Sequence, residues 1–222
     1  VTSQRLPDEL RRRVESDLEP VRPLPPSWRR ALVVAAVAVA VFAAMVTFFR
    51  LRPDLHQLPM WLSWGCALVQ LGVGVLLAGL ALRESVPGAG VSGGVVVGAL
   101  GLGLAVQMLV GFATWMWAGQ PPAGELGVGV KCMRSDLAMA VPIFIVALWL
   151  VFRALPLRAP VAGALGGTGA ALASDAASHM RCPMSDLQHL LVWHTGAVLV
   201  MAAAGWLIGW VWGRLRWRRL RE

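Results

Sequence analysis

Long uncharged runs separated by short charged segments dominate the pattern along this chain. The stretch "ALVVAAVAVAVFAAMVTFF" fills positions 31–49 without a charge, and comparable runs occupy about 60–82, 93–117, 137–152, 160–177 and 190–212. Most are long enough to cross about 30 Å of hydrocarbon as helices, so the pattern predicts six spans. The fourth run is short and holds Pro142, and the fifth is built mainly of Ala and Gly. Many tryptophans fall near predicted ends (Trp28, Trp61, Trp64, Trp115, Trp117, Trp149, Trp210 and Trp212), where an amphipathic ring suits the headgroup layer.

A different period precedes the first run. Leu6, Leu10, Val14 and Leu18 recur every four residues, which lays an apolar stripe along one side of a short helix. Pro7 suits the first helical position, Asp8 and Glu9 the first turn, and Pro20 the end. Arg11, Arg12, Arg13, Glu15, Asp17 and Glu19 make the rest a mixed-charge surface, and "PVRPLPP" forms a semi-rigid spacer to the membrane. The predicted fold class is therefore an all-α integral membrane protein, a six-transmembrane helix bundle with a short cytoplasmic N-terminal amphipathic helix. Residues 1–30 form the N-terminal segment, 31–212 the bundle and 213–222 a basic tail.

Composition sharpens this picture. The 222 residues are 57% hydrophobic and 14% charged, with 11 Trp and no Tyr, far from the soluble-globular average. With six spans, Arg50, Arg52, Lys131, Arg134 and Arg181 fall in loops on one side, and the other fifteen of the 20 basic residues fall with the two tails. The positive-inside rule then places both tails in the cytoplasm. Topology and contact with anionic membrane lipids account for the net charge of +8, so direct nucleic-acid binding is not expected. Asp175, Gln70 and Gln107 are too sparse to suggest an ion pathway. A small transporter or channel is the main alternative, and a thiol or metal membrane enzyme ranks below it. Gly94 and Gly98, Gly163 and Gly167, and Gly205, Gly209 and Gly213 recur at four-residue spacing. That spacing favours close helix packing within the bundle before dimerisation.

One phrase occurs twice: "KCMRSDL" at 131–137 and "RCPMSDL" at 181–187. Both copies fall on the side away from the tails, each just before a returning span. Ser and Asp are good helix N-caps, since their oxygens accept orphan amide hydrogens, so "SDL" reads first as capping. Cys132 and Cys182 remain open between a structural disulfide, incidental thiols, and a sensing pair for oxidants or soft metals. The chain has no C-x-x-C, which argues against a dithiol oxidoreductase. His179, His189 and His194 are weak metal-ligand candidates. Zinc wants four ligands at about 2.0 to 2.3 Å, which the spacing permits without indicating. His194 alone reads as a polar residue packed between helices. No cofactor is expected.

The second half, from "KCMRSDLAMAVPIFIVALWLVFRALPLRAPVAGALGGTGAAL" through "HMRCPMSDLQHLLVWHTGAVL", resembles the NrsF-type membrane anti-sigma factors of bacteria. The matching features are a cysteine before span four, an Ala/Gly-rich span five, and Cys-Pro before a span bearing Trp and His. The resemblance implies a six-span inner-membrane protein that holds an extracytoplasmic-function sigma factor. It implies signal sensing at Cys132 and Cys182. Sigma binding is implied around residues 6–18, including Leu6, Leu10, Arg11, Val14 and Leu18. The Ala/Val/Gly/Arg bias and the length are similar to anti-sigma factors of light-induced carotenoid synthesis, for which the signal would be photo-oxidative.

Overall fold

A computed structural model describes residues 7–17, 23–118 and 126–219. These form helices α1 (Asp8–Ser16), α2 (Ser27–Phe48), α3 (Cys66–Glu84), α4 (Gly93–Trp117), α5 (Leu126–Phe152), α6 (Ala159–His179), α7 (Leu187–His189) and α8 (Thr195–Arg219), with no strand among the described residues. Single π-helical turns, Trp61–Gly65 and Leu190–His194, lead into α3 and α8. In α1, Pro7 occupies the N-cap position and Asp8 and Glu9 the first turn. Its Arg11–Glu15 and Arg12–Glu9 pairs, at 3.2 and 3.3 Å, are solvent-exposed and add only tenths of a kcal/mol, about 0.2 to 0.5 each. Leu10 and Val14 are 46% and 52% exposed, so the apolar stripe lies open. Leu6 and Leu18, the outer members of that stripe, lie outside the described residues.

Five segments have the length and apolar character to cross a membrane: Ser27–Phe48, Trp61–Glu84, Gly93–Trp117, Gly127–Phe152 and Leu187–Arg216. The other predicted span, 160–177, falls within α6, whose 21 residues give a rod of about 31 Å. It runs through the middle of the bundle against α2, α3, α4, α5 and α8. Every residue from 165 to 179 is buried, so protein, not lipid, is its solvent. That explains its composition: small side chains let neighbouring backbones approach, and polar ones find partners. A Cβ at Gly163 would collide with the Gly205 carbonyl, one at Gly167 with the Met201 carbonyl, and one at Gly169 with the Gly74 carbonyl. Large apolar side chains such as Val97, Leu109 and Ile145 face outward on the surrounding helices.

The start of α5 corrects the sequence reading. The helix begins at Leu126, not near residue 137, because the glycines and charges of 127–136 read as loop while their backbone is helical. Ser135 and Asp136 therefore sit about two and a half turns inside α5 and do not cap it. In the second copy of the phrase, by contrast, Asp186 is the N-cap of α7 and accepts from the His189 amide at 2.8 Å.

Polar contacts close the end of the bundle nearest the tails. Arg30, counted above as a tail residue, is buried in α2, where it donates to the carbonyls of Leu82 at 3.0 Å and Leu150 at 3.1 Å. A guanidinium suits those orphan acceptors near the C-terminal ends of α3 and α5. Glu84 accepts two bonds of 2.7 Å from Arg158 and one of 2.9 Å from the Val91 amide, joining α3 to the start of α6 and to the α3–α4 loop. If the centre depends on backbone contact, Gly163→Ala will lower the thermal unfolding midpoint of detergent-solubilised protein by the equivalent of about 1 to 3 kcal/mol. Gly98→Ala, whose Cβ meets nothing within 4 Å, will leave it unchanged or raise it; equal effects would contradict this account.

Candidate functional site

At the opposite end, α6 delivers Asp175, Ser178 and His179 in its last turns, all buried. Asp175 Oδ2 accepts from Gln70 Nε2 on α3 at 2.6 Å and from Gln107 Nε2 on α4 at 3.0 Å. Its Oδ1 lies 2.6 Å from His194 Nδ1. Asp136 Oδ2, from α5, lies 3.0 Å from the same nitrogen, and Asp136 Oδ1 accepts from the Ser178 hydroxyl. One N–H cannot align on two oxygens equally. Asp175 holds the shorter contact, and Asp136 Oδ2 has no aligned donor. Polar groups that look isolated along the chain thus form one connected network across α3, α4, α5, α6 and the π-turn before α8. Burying them is tolerable because most of their polar atoms have partners; the exceptions in the network are Gln70 Oε1, Asp136 Oδ2 and His194 Nε2.

The π-turn matters to this arrangement. Bonding from each residue to the fifth one on brings positions five apart back towards one face, whereas a regular α-helix would separate them by about 140°. His189 and His194 stand in that relation, and their ring centroids are 5.4 Å apart. Cys182 Sγ lies 3.4 Å from His189 Nε2 and 3.6 Å from Cys132 Sγ. The two thiols are free and not bonded to each other. The hydrogen bond to Cys132 and burial together raise the Cys182 thiol above its ordinary range.

Two arginines fix the covering loops. Arg52, buried between α2 and the π-turn before α3, makes a two-point pair with Asp54 at 2.6 and 2.8 Å and donates to Ser185 Oγ at 2.9 Å. That pairing holds the Asp54 carboxyl below its usual range. The Arg52 amide donates to the Met180 carbonyl at 3.0 Å, tying this loop to the Cys182 loop. Arg181 lies over the Phe49 ring at 4.8 Å and donates to Ser135 Oγ at 3.4 Å.

Residues 15–217 match the family described as "NrsF: Negative regulator of sigma F". The chain belongs to this family. Its NrsF membership makes a sigma factor its partner and places it among negative regulators of transcription, not in a known class of enzymes. No curated protein and no solved structure matches it. The NrsF match begins at residue 15, so Leu10, Arg11 and Val14 precede it.

Of the site residues named from sequence, the structure gathers Cys132, Cys182, His189 and His194, whose ligand-type atoms all lie within 4.8 Å of one another. His179 stands apart: its Nε2 lies 2.7 Å from the Leu62 carbonyl, so it secures the turn before α3. Asp136, Asp175, Gln70 and Gln107 are members that the sequence reading missed or set aside. A polar residue inside an apolar span is the signal that marks Gln70, Gln107 and Asp175, whereas Asp136 falls before the span read from sequence and carries no such signal. In chemical terms the cluster can share protons, form a disulfide or coordinate a soft metal ion. Because His194 stands between two buried carboxylates, His194→Ala should cost about 3 to 5 kcal/mol, visible as a large drop in unfolding midpoint. His189→Ala should cost clearly less; the reverse order would contradict the network described here.

Proposed function

We propose that this NrsF-family protein is a multi-pass anti-sigma factor of the bacterial inner membrane. It holds an extracytoplasmic-function sigma factor through its N-terminal segment and releases it when an envelope, photo-oxidative or metal signal reaches Cys132 and Cys182. The observation that carries this reading is the division of labour between the two ends of the chain. An exposed helix presenting Leu10, Arg11 and Val14 precedes the first span, and a thiol pair, Cys182 buried and Cys132 half-buried, lies at the far end of the bundle. In this reading α6 is the sixth span, both tails are cytoplasmic, and the cysteine end faces outward, as the distribution of basic residues favours.

A helix as short as α1 is marginal alone in water and gains order on lying in a groove. Leu10 and Val14 supply the apolar contact, flanked by Arg11. In the sequence, Leu6 and Leu18 continue the same four-residue period. Masking a sigma surface this way keeps it from RNA polymerase. A change of helix packing at the cysteine end reaches the tail end through α6, which adjoins every other span. A coupling of about 1 to 3 kcal/mol would shift affinity about 5 to 150-fold. Degradation of the protein would release the sigma factor without such coupling. The photo-oxidative form of the signal, with carotenoid synthesis genes as output, rests on compositional likeness.

The test is recovery of a sigma factor from host lysate, identified by mass spectrometry, on solubilised full-length protein and on a version lacking residues 1–20. The sigma factor should come down with the full chain alone. Equal recovery on both would remove the N-terminal segment from the interface, and no recovery on either would sink the sequestration reading. In cells, Cys132→Ser with Cys182→Ser should abolish induction at unchanged protein level; normal induction would show that the thiols are not the sensor.

A further inference from the structure

The sulfurs and imidazoles at the cysteine end are arranged as metal ligands are. Around a tetrahedral zinc ion with Zn–S near 2.3 Å and Zn–N near 2.0 to 2.1 Å, two sulfurs stand about 3.8 Å apart and a sulfur and a nitrogen about 3.6 Å. Cys132 and Cys182 are 3.6 Å apart, Cys182 and His189 Nε2 are 3.4 Å apart, and all four ligand atoms lie within 4.8 Å. Cys182, His189 and His194 are 7%, 4% and 3% exposed, and Cys132 is half-buried, so three ligands are shielded from water and the fourth lies at the site's opening.

His194 supplies an independent observation. Its Nδ1 is occupied by Asp175 and Asp136, while its buried Nε2 has no hydrogen-bond partner. A carboxylate on Nδ1 holds a proton there, so Nε2 is the ring nitrogen whose lone pair an ion can take once any proton on it is released. That is the tautomer and orientation of metal-bound histidines, which donate their other ring N–H to an acidic or carbonyl oxygen. An orphaned buried nitrogen is otherwise a cost with no return.

We propose that Cys132, Cys182, His189 and His194 bind one divalent ion of the zinc class in a tetrahedral S2N2 site, with Asp175 and Asp136 as positioning residues on His194. The inference deepens the sensing role proposed for the same thiols, but its test uses no sigma factor, so the two can fail separately. Binding requires both thiols, and His194 Nε2 where it is protonated, to release their protons to solvent, which leaves two thiolates that neutralise the ion's charge. The ligands come from α5, the α6–α7 loop, α7 and the following π-turn, so the ion ties these four elements together. A cleft of about 210 Å³ bordered by Lys131, Ser135 and Arg181 reaches Cys132 and gives access. A second arrangement, Asp136 and Asp175 with His194, offers oxygen ligands and suits harder ions; the spectrum below separates the two.

The experiment takes reduced full-length protein in lipid nanodiscs, measures bound zinc by elemental mass spectrometry, and then exchanges in Co2+ as the spectroscopic probe. The expected result is one zinc per chain and a cobalt spectrum with thiolate-to-metal charge transfer and intense tetrahedral bands. Cys132→Ser with Cys182→Ser should abolish both. Asp175→Asn should keep the tetrahedral spectrum while weakening affinity about 10 to 100-fold, a split that a merely structural role would not produce. Substoichiometric zinc in the reduced protein, a cobalt spectrum without thiolate bands, or binding that survives loss of both cysteines would overturn the proposal. The wild-type spectrum decides even if a variant fails to fold.

Discussion

Backbone contact between α6 and its neighbours is the constraint on which the rest of this structure depends. Where Gly163 faces Gly205 and Gly169 faces Gly74, no side chain separates the helices, so α3 and α8 are held against α6 at fixed depth and rotation. In a lipid environment the hydrophobic effect does little to draw helices together, and close packing with interhelical hydrogen bonds must do it. The glycines supply the first, and Asp175 with Gln70 and Gln107 supplies the second. The two reinforce each other, because hydrogen bonds of 2.6 to 3.0 Å require the helices to be close.

The two ends of the bundle solve a similar problem with different chemistry. Near the tails, buried Arg30 occupies carbonyls left open by α3 and α5, and Glu84 with Arg158 fastens α6. These contacts join α2, α3, α5 and the start of α6 directly, so that end behaves as a clamp. The far end is built from thiols, imidazoles and carboxyls, whose protonation, oxidation and ligation respond to surroundings. One rod of mostly small residues spans the distance between them. On the function proposed above, that division of chemistry keeps the bundle firm at the end nearest the tails and changeable at the other.

Much of the architecture is legible along the chain. Charge-free runs place the long helices, and the four-residue period of leucine and valine places α1. The start of α5 is not legible, because Gly127, Gly129, Lys131 and Arg134 resemble a polar turn and become helical only through packing against α6 and the turn before α8. The repeated Ser-Asp shows the limit of local reasoning. Asp186 caps a helix as its neighbours in sequence suggest, while Asp136, in nearly the same words, turns inward to a histidine fifty-eight positions away. The cysteine pair is visible as a repetition. Its union with His189 and His194 depends on a π-turn that hydropathy does not encode, and His179 shows that a histidine near the right end can belong to a different task.

The buried character of α6 bears on how the molecule is made. Partitioned alone into lipid, this helix would bring Asp175 without the Gln70, Gln107 and His194 contacts and Ser178 without the Asp136 contact that it has in the bundle, and an unpartnered carboxyl is costly there. Its stable residence therefore waits on the five apolar helices that surround it, and membrane insertion and tertiary assembly become one event for this segment. The same dependence runs in reverse. Any loosening of the bundle exposes the polar side chains of α6 to hydrocarbon, so the stability of the whole molecule rests on the integrity of its own centre.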